Sequence, residues 1–331
     1  MNETIDLATN EAQEQLMQAV VLDRFGSVDE LKLRSVPLPG LEDNDVLIRV
    51  EFAGVGSWDA LERQGDWDGA FGVPSTFPYV LGGDAAGVVA AIGDRVTRVK
   101  VGDRVYAATM PVPRGGFYAE YGVVDEEYVA HRPDRLPADQ AGAMAWDALT
   151  ALSGLDAIGL SAGETFVVFG ASGGIGHLAV QLARHRGARV LAIASGEDGV
   201  TLASRLGADV VVDGRREDVL TAAAAFAPDG LDAALFTTGG EIAEHSLGAI
   251  KATGRIAWPN GVQPALSVMP TPAVTYFDGD RSRAATDRLN SIIEAHGLEV
   301  HLHSVFPLEQ ARDAHLASRQ HYIGKLALGV A

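Results

Sequence analysis

At 331 residues the chain is long enough for about two domains, and a hydrophobic content of 47% with 38 glycines fits a folded α/β protein rather than a disordered one. Its 26 Lys and Arg against 44 Asp and Glu give a net charge of −18, which excludes nucleic acid or an anionic membrane as the main partner. It has no cysteine, which excludes disulfides, cysteine-ligated zinc and a thiol nucleophile.

Residues 1–16 carry Glu3, Asp6, Glu11 and Glu14 but no basic residue and no apolar core. They predict an acidic N-terminal extension with the character of a frayed terminus, not a secretion signal. From Met17 to about Leu136 the sequence is strand-rich. Short runs at Ala19–Leu22, Leu31–Ser35, Val46–Phe52, Gly87–Ile92, Arg104–Ala107 and Ala119–Val124 are separated by turn residues such as Pro37, Pro39, Gly40 and Gly102-Asp103. That spacing predicts a small barrel-like β domain. A helix is expected around Pro137–Gly159.

The most informative stretch runs from Gly163 to Asp209. An apolar run, Phe166–Phe169, enters the turn Gly170-Ala171-Ser172-Gly173-Gly174-Ile175-Gly176. Ile175, Leu178, Ala179 and Leu182 then share one face at helical spacing, and Arg184, Arg186 and Gly187 mark the helix end. A second apolar run, Val190–Ala194, completes a strand–helix–strand unit. This is the setting of a dinucleotide fingerprint: Gly173 allows the backbone to approach a pyrophosphate, Gly176 allows close helix packing, and the free N–H groups of the helix start face the anion. Ala171 stands where the pattern has its first glycine, and a glycine-rich βα turn of another α/β domain is the competing reading.

Further alternation follows. Val210–Val212, Ala233–Thr237 and Arg255–Trp258 read as strands, with helices near Glu217–Ala227 and Glu241–Ala252. That order predicts a parallel, doubly wound sheet. A helix at Ala284–Ala295, a strand at Val300–Phe306, a helix at Leu308–Ser318 and a strand at Lys325–Val330 resume the first domain's pattern. The longest uncharged run, Ile256–Phe277, contains Pro259, Pro264, Pro270 and Pro272, which break any spanning helix. A cytoplasmic protein without internal repeats is the expectation.

LGGDAAGVVAAIGDRVTRVKVGDRVYA (81–107), Ala148-Leu149-Thr150-Ala151, the GASGGIG turn with RLGAD, and the closing FPLEQARDAH and GKLAL together resemble the medium-chain dehydrogenase/reductase superfamily. The likeness is nearest to its zinc-free quinone oxidoreductase (zeta-crystallin-like) branch and covers about Met17 to Val330. It implies a GroES-like β-rich catalytic domain (17–136 and 283–331) and a Rossmann dinucleotide-binding domain (137–282). It also implies hydride transfer from a nicotinamide to a quinone or α,β-unsaturated carbonyl, and a homodimer. A nucleotide-binding protein with little catalysis, and a reductase of a specialised biosynthetic route, remain alternatives.

The resemblance places the superfamily's metal ligands at Gly56, Gly83 and Trp146, none of which can ligate, and His131, His177 and His185 lack ligand spacing. It places Ser57, Trp58, Asp59 and Tyr79 at the substrate cleft without a clear acid–base pair, and Thr150 beside the nicotinamide. The family's GVNP is Gly54-Val55-Gly56-Ser57 here, so its asparagine is missing. An NAD site would carry an acid at the end of the second Rossmann strand; here Ala194 and Ser195 stand there, which favours NADP. Against that, Gly199 occupies the position of the lysine of many NADP-using relatives, and Glu197 and Asp198 add negative charge, so NAD stays open. Arg215 or Arg216 is the candidate countercharge, and Thr237, Pro259 and Asn260 are expected along the cofactor path.

Overall fold

A computed structural model of the protein describes residues 15–69, 72–110 and 116–330. The acidic extension expected over residues 1–16 lies outside the described residues except for its last two, and Leu16 already opens the first strand. The chain divides into two compact units. One takes the described residues up to Trp146, Arg281–Glu294 and everything from Leu302; the other takes Asp147–Asp280 and Ala295–His301.

In the first unit, β1 (Leu16–Leu22) pairs antiparallel with β2 (Lys32–Pro37), and a larger sheet begins with the eleven-residue β3 (Asp45–Val55). Helix α1 (Ser57–Gln64) follows, then β4 (Tyr79–Val80), β5 (Asp84–Ile92), β6 (Arg104–Ala108), β7 (Tyr121–Asp125) and β8 (Val129–His131). The sequence reading has neither α1 nor β4. The inward face of α1 carries Asp59, Glu62 and Arg63, so its period is written in charged residues where an apolar stripe is the usual signal. Its N-terminus is held by half a capping box, the Gly56 N–H donating to Asp59 Oδ2 at 2.6 Å.

Helix α2 (Ala138–Ala157) leads to the second unit, built as β9 (Thr165–Phe169), α3 (Gly174–His185), β10 (Arg189–Ala194), α4 (Gly196–Arg205), β11 (Val210–Asp213), α5 (Val219–Phe226), β12 (Leu231–Phe236), α6 (Glu241–Ser246), β13 (Ile250–Pro259) and β14 (Ala273–Phe277). Its strands are all parallel in the order β11-β10-β9-β12-β13-β14. The central β9 is buried along its whole length, as a strand covered on both faces requires. Phe169, Phe236 and Trp258 stack across three neighbouring strands with centroids 5.4 Å apart at each step.

Two sequence expectations are corrected here. The helix over Glu241–Ala252 ends at Ser246, and Ile250 already belongs to β13 because it pairs with Leu231; a register shift beyond that pair absorbs the extra residues. The uncharged proline-rich run contains the sixth strand, β14, whose residues are mostly exposed and therefore carry no buried-strand pattern. After α7 (Arg283–His296), β15 (Leu302–Pro307), α8 (Ala311–Ala317) and β16 (Lys325–Gly329) complete the first unit. There β16 lies antiparallel to β3, giving the order β15-β16-β3-β5-β6-β8 with β7 also on β3.

Candidate functional site

Strands β9 to β13 end at Phe169, Ala194, Asp213, Phe236 and Pro259 along one edge of the second unit's sheet. The strand order reverses direction at β9, the place where ligands of such sheets bind. The chain leaves β9 through Gly170 (φ +85°) and Ala171, whose N–H groups donate to the Ile193 carbonyl at 3.1 and 2.9 Å. A Cβ on Gly176 would lie 2.1 Å from the Gly170 carbonyl oxygen, so α3 starts too close to the turn for any other residue. Around Gly173 the nearest atom a Cβ would meet is the Gly170 oxygen at 3.5 Å, leaving that face open. The N–H groups of Gly174, Ile175 and Gly176 open α3 and have no intrahelical acceptor, which fits a diphosphate.

Of the other predicted cofactor residues, Thr237, Ser172 and Ser195 lie around this turn. Thr237 donates its hydroxyl to the Phe169 carbonyl at 2.9 Å and lies against Gly170. Ser172 accepts the Ser195 N–H on its Oγ at 3.3 Å, and a Cβ on Gly199 would stand 2.8 Å from the Ser172 Cβ. The Ser195 hydroxyl is buried with no partner among the described residues, an unsatisfied group of the kind a ribose hydroxyl or its phosphate would complete. Arg215 is exposed, while Arg216 Nε lies 3.7 Å from Asp213 Oδ2. Asp213 itself caps this edge by accepting the N–H groups of Arg215 and Gly196 at 3.1 and 3.2 Å, bonds that hold its carboxyl below the usual range.

Asn260 donates to Asp278 Oδ2 at 3.0 Å, and the chain then crosses α2: a Cβ on Gly279 would meet Thr150 Oγ1 at 2.7 Å, and the Asp280 N–H reaches Ser153 Oγ at 2.9 Å. Thr150 is thus buried under the segment that follows β14.

In the first unit the four cleft candidates do not share one environment. Ser57 is exposed, and Trp58 is half-buried against Trp67 with centroids 5.7 Å apart. Tyr79 is drawn into the core, where its hydroxyl donates to Glu62 Oε1 at 2.6 Å. Burial pushes the Asp59 carboxyl up to about 6, against the pull of the Gly56 N–H, Lys325 and Tyr118. Burial, reinforced by the Asp59 charge, raises Glu62 well above the carboxylate range.

A relay invisible in the sequence reading continues from Asp59. Tyr118 bonds Asp59, His315 Nε2 stands 3.2 Å from the Tyr118 hydroxyl, and Arg63 donates to His315 Nδ1 at 2.7 Å. Arg63 also donates to the Gly26 carbonyl at 3.0 Å. The signal available was the trio Asp59, Glu62 and Arg63 at i, i+3 and i+4, one helix face carrying charge inward.

The three positions that the resemblance assigns to metal ligands do not fit a zinc ion. Gly56 and Gly83 have no donor atom, and the Trp146 indole N–H only donates. A Cβ on Gly56 would lie 3.6 Å from both Lys325 Nζ and Asp59 Oδ2, so a buried ammonium occupies that neighbourhood, and a Cβ on Gly83 would be 2.8 Å from the Thr109 carbonyl. The Trp146 ring faces the Arg281 guanidinium at 4.6 Å. Among the described residues no group of three or more His, Asp or Glu side chains is placed to hold a metal, and no helix is long and apolar enough to cross a membrane.

Residues 42–134 match the alcohol dehydrogenase GroES-like domain family, and residues 174–274 the zinc-binding dehydrogenase family. The chain is 31% identical to an NADPH-dependent alkenal/one oxidoreductase of Arabidopsis thaliana over 90% of its own length and 75% of that protein's. It is 36% identical to a 2-methylene-furan-3-one reductase of Solanum lycopersicum over 61% of its own length but only 53% of the tomato protein. The solved quinone oxidoreductase of Coxiella burnetii superposes with a TM-score of 0.82 at 26% identity, covering 96% of this chain and 100% of that one. With its GroES-like first unit and Rossmann second unit, this chain belongs to the medium-chain dehydrogenase/reductase superfamily.

Proposed function

We propose that this chain is an NAD(P)H-dependent oxidoreductase that reduces a quinone or an α,β-unsaturated carbonyl, prefers NADPH, and works without a metal. The observation that carries the reading is the start of α3: three N–H groups without intrahelical acceptors behind the open face of Gly173, beside the buried, unsatisfied Ser195 hydroxyl. A bound nicotinamide supplies the hydride. The chain's own residues bind and orient: Gly174–Gly176 take the diphosphate, and Thr150 stands at the nicotinamide end as the resemblance implies. Neutral Ala194 and Ser195 leave room for a 2′-phosphate, and exposed Arg215 offers it a countercharge. The name of the Arabidopsis relative, an NADPH-dependent reductase of alkenals and alkenones, points the same way.

The metal-free part rests on Gly56, Gly83 and Trp146. Hydride arriving at carbon leaves an enolate or hydroquinone-level oxyanion, which a hydrogen-bond donor stabilises and one proton from water completes. The outer edge of β14, which carries exposed Tyr276 and is preceded by exposed Val268 and Met269, supports a homodimer formed through that strand.

Purified protein is expected to oxidise NADPH with 1,4-benzoquinone, a 2-alkenal or a cyclic enone, with a higher kcat/KM than for NADH and no loss of rate after chelation. Tight NADPH binding without turnover on any acceptor would replace this reading by a non-catalytic nucleotide-binding role. A rate abolished by chelation and restored by zinc would overturn its metal-free part.

A further inference from the structure

Helix α3 carries a polar stripe, buried at His177 and Gln181 and exposed at His185, that the nucleotide-binding reading does not use. His177, Gln181 and His185 recur at i, i+4 and i+8 and meet residues 296–301 in antiparallel order. The His301 N–H reaches His177 Nε2 at 3.2 Å. Gln181 exchanges two bonds of 2.9 Å with the Glu299 backbone, and His185 stacks on His296 with centroids 4.7 Å apart. Gln181 and His185 stop there. His177 does more, because its other ring nitrogen reaches back to the turn.

The Gly173 carbonyl receives two bonds from this one residue: the His177 backbone N–H at 3.0 Å and Nδ1 at 2.9 Å. Nδ1 faces a carbonyl and Nε2 faces an N–H, so the ring is neutral with its proton on Nδ1. Gly173 and Gly174 flank the peptide in question, and a Gly-Gly peptide is the least restrained the chain can have. Its carbonyl and its N–H point in opposite directions because the peptide is planar and trans. Holding the Gly173 oxygen down into the helix therefore holds the Gly174 N–H out, toward the open face of the turn.

The geometry points to His177 as a positioning residue for the dinucleotide's diphosphate: fully buried and anchored by the His301 backbone, it sets the Gly173–Gly174 peptide with its N–H ready for the anion. This rests on the nicotinamide-nucleotide reading of the α3 turn. The ring touches no ligand; it acts through the peptide it holds.

The test uses the full chain and two variants. His177→Phe keeps the buried ring without a donor, and His177→Asn restores a donor near the Nδ1 position. Dissociation constants are measured for NADPH and ADP-ribose by fluorescence and for adenosine, which has no diphosphate, by ligand-observed NMR. His177→Phe is expected to weaken NADPH and ADP-ribose about tenfold, leave adenosine within about twofold, and leave kcat at saturating NADPH unchanged; His177→Asn recovers most of the loss. Equal weakening of all three ligands, tracking a fall in Tm, would mean a structural role only and overturn the proposal. Unchanged NADPH affinity in His177→Phe would overturn it as well. Wild-type protein that binds no dinucleotide would instead remove the underlying cofactor reading, so the two failures are distinguishable.

Discussion

Arg63 donates to Nδ1 of His315 at 2.7 Å across 252 residues of sequence, and both side chains are fully buried. Because Nδ1 accepts, the ring proton sits on Nε2 and is shared with the Tyr118 hydroxyl, which in turn bonds Asp59. A cation and a carboxylate are thus joined through two neutral side chains, and every link has one sensible direction of donation. The arrangement requires a neutral imidazole.

Burial, with Arg63 and Arg319 nearby, lowers His315 from 6.5 to about 3. Between those values the unfolded chain takes up a proton that the folded chain does not, so this group's contribution is complete above pH 6.5 and is lost progressively as pH falls toward 3. Asp59, raised from 3.8 to about 6, works in the opposite sense and offsets part of the loss. His315→Phe, which removes the titration, is expected to show a shallower decline of unfolding free energy on acidification from about pH 6.5 to 4 than wild type, measured by urea melts. Parallel declines would show that His315 titrates normally in the fold.

Asp59 gathers the Gly56 N–H, Tyr118 and the Lys325 charge. Asp59→Ala removes the acceptor of the Gly56 N–H and of the Tyr118 hydroxyl together with the charge facing Lys325, and is expected to cost about 3 kcal/mol by chemical denaturation. Asp59→Asn is milder and removes a pH term: wild-type stability relative to this variant should fall as pH rises from 3.8 through about 6, because only the folded carboxyl holds its proton there. A cost for Asp59→Ala below about 1 kcal/mol would show that the relay does not depend on its acidic end.

Gly199 stands where the family resemblance implies a lysine in many NADP-using members. Restoring it is expected to harm: the new Cβ would lie 2.8 Å from Ser172 Cβ and 2.9 Å from its Oγ, and Ser172 Oγ already accepts the Ser195 N–H. Gly199→Lys should therefore weaken NADPH binding about tenfold and lower stability by about 1–3 kcal/mol, read by titration and thermal melts. A gain in NADPH affinity would contradict this packing argument.

Arg215 and Arg216 are separated by what they already do. Arg216 lies 3.7 Å from Asp213, whereas the Arg215 side chain is exposed and its backbone N–H donates to Asp213. Arg215→Ala is expected to raise KM for NADPH about fivefold with little change for NADH, and Arg216→Ala to move both by less than about twofold. The reverse ranking would assign the 2′-phosphate to Arg216.

The sequence reading was strongest where structure is local. The strand, glycine turn and helix of Phe166–Gly187 lie within one contiguous stretch, and their conformations follow from spacing and from the missing Cβ atoms. The lack of ligands at Gly56, Gly83 and Trp146 is likewise a fact about single residues. The close packing expected at Gly176 has its structural form in the Gly170 carbonyl oxygen, which would lie 2.1 Å from a Cβ there.

What the sequence alone determined, then, was the α/β composition and the glycine turn between β9 and α3, because short-range periodicity and residue chemistry suffice for those. Only the tertiary structure decided that Arg63, His315, Tyr118 and Asp59 form one buried chain, that β14 is a strand, and that His177 grips the peptide it follows. The relay and the pairing of β14 depend on partners brought together from distant segments, and the His177 ring is held from its other side by His301. A buried charge or an exposed edge strand has no periodic signature until the surrounding elements determine which side of it faces water.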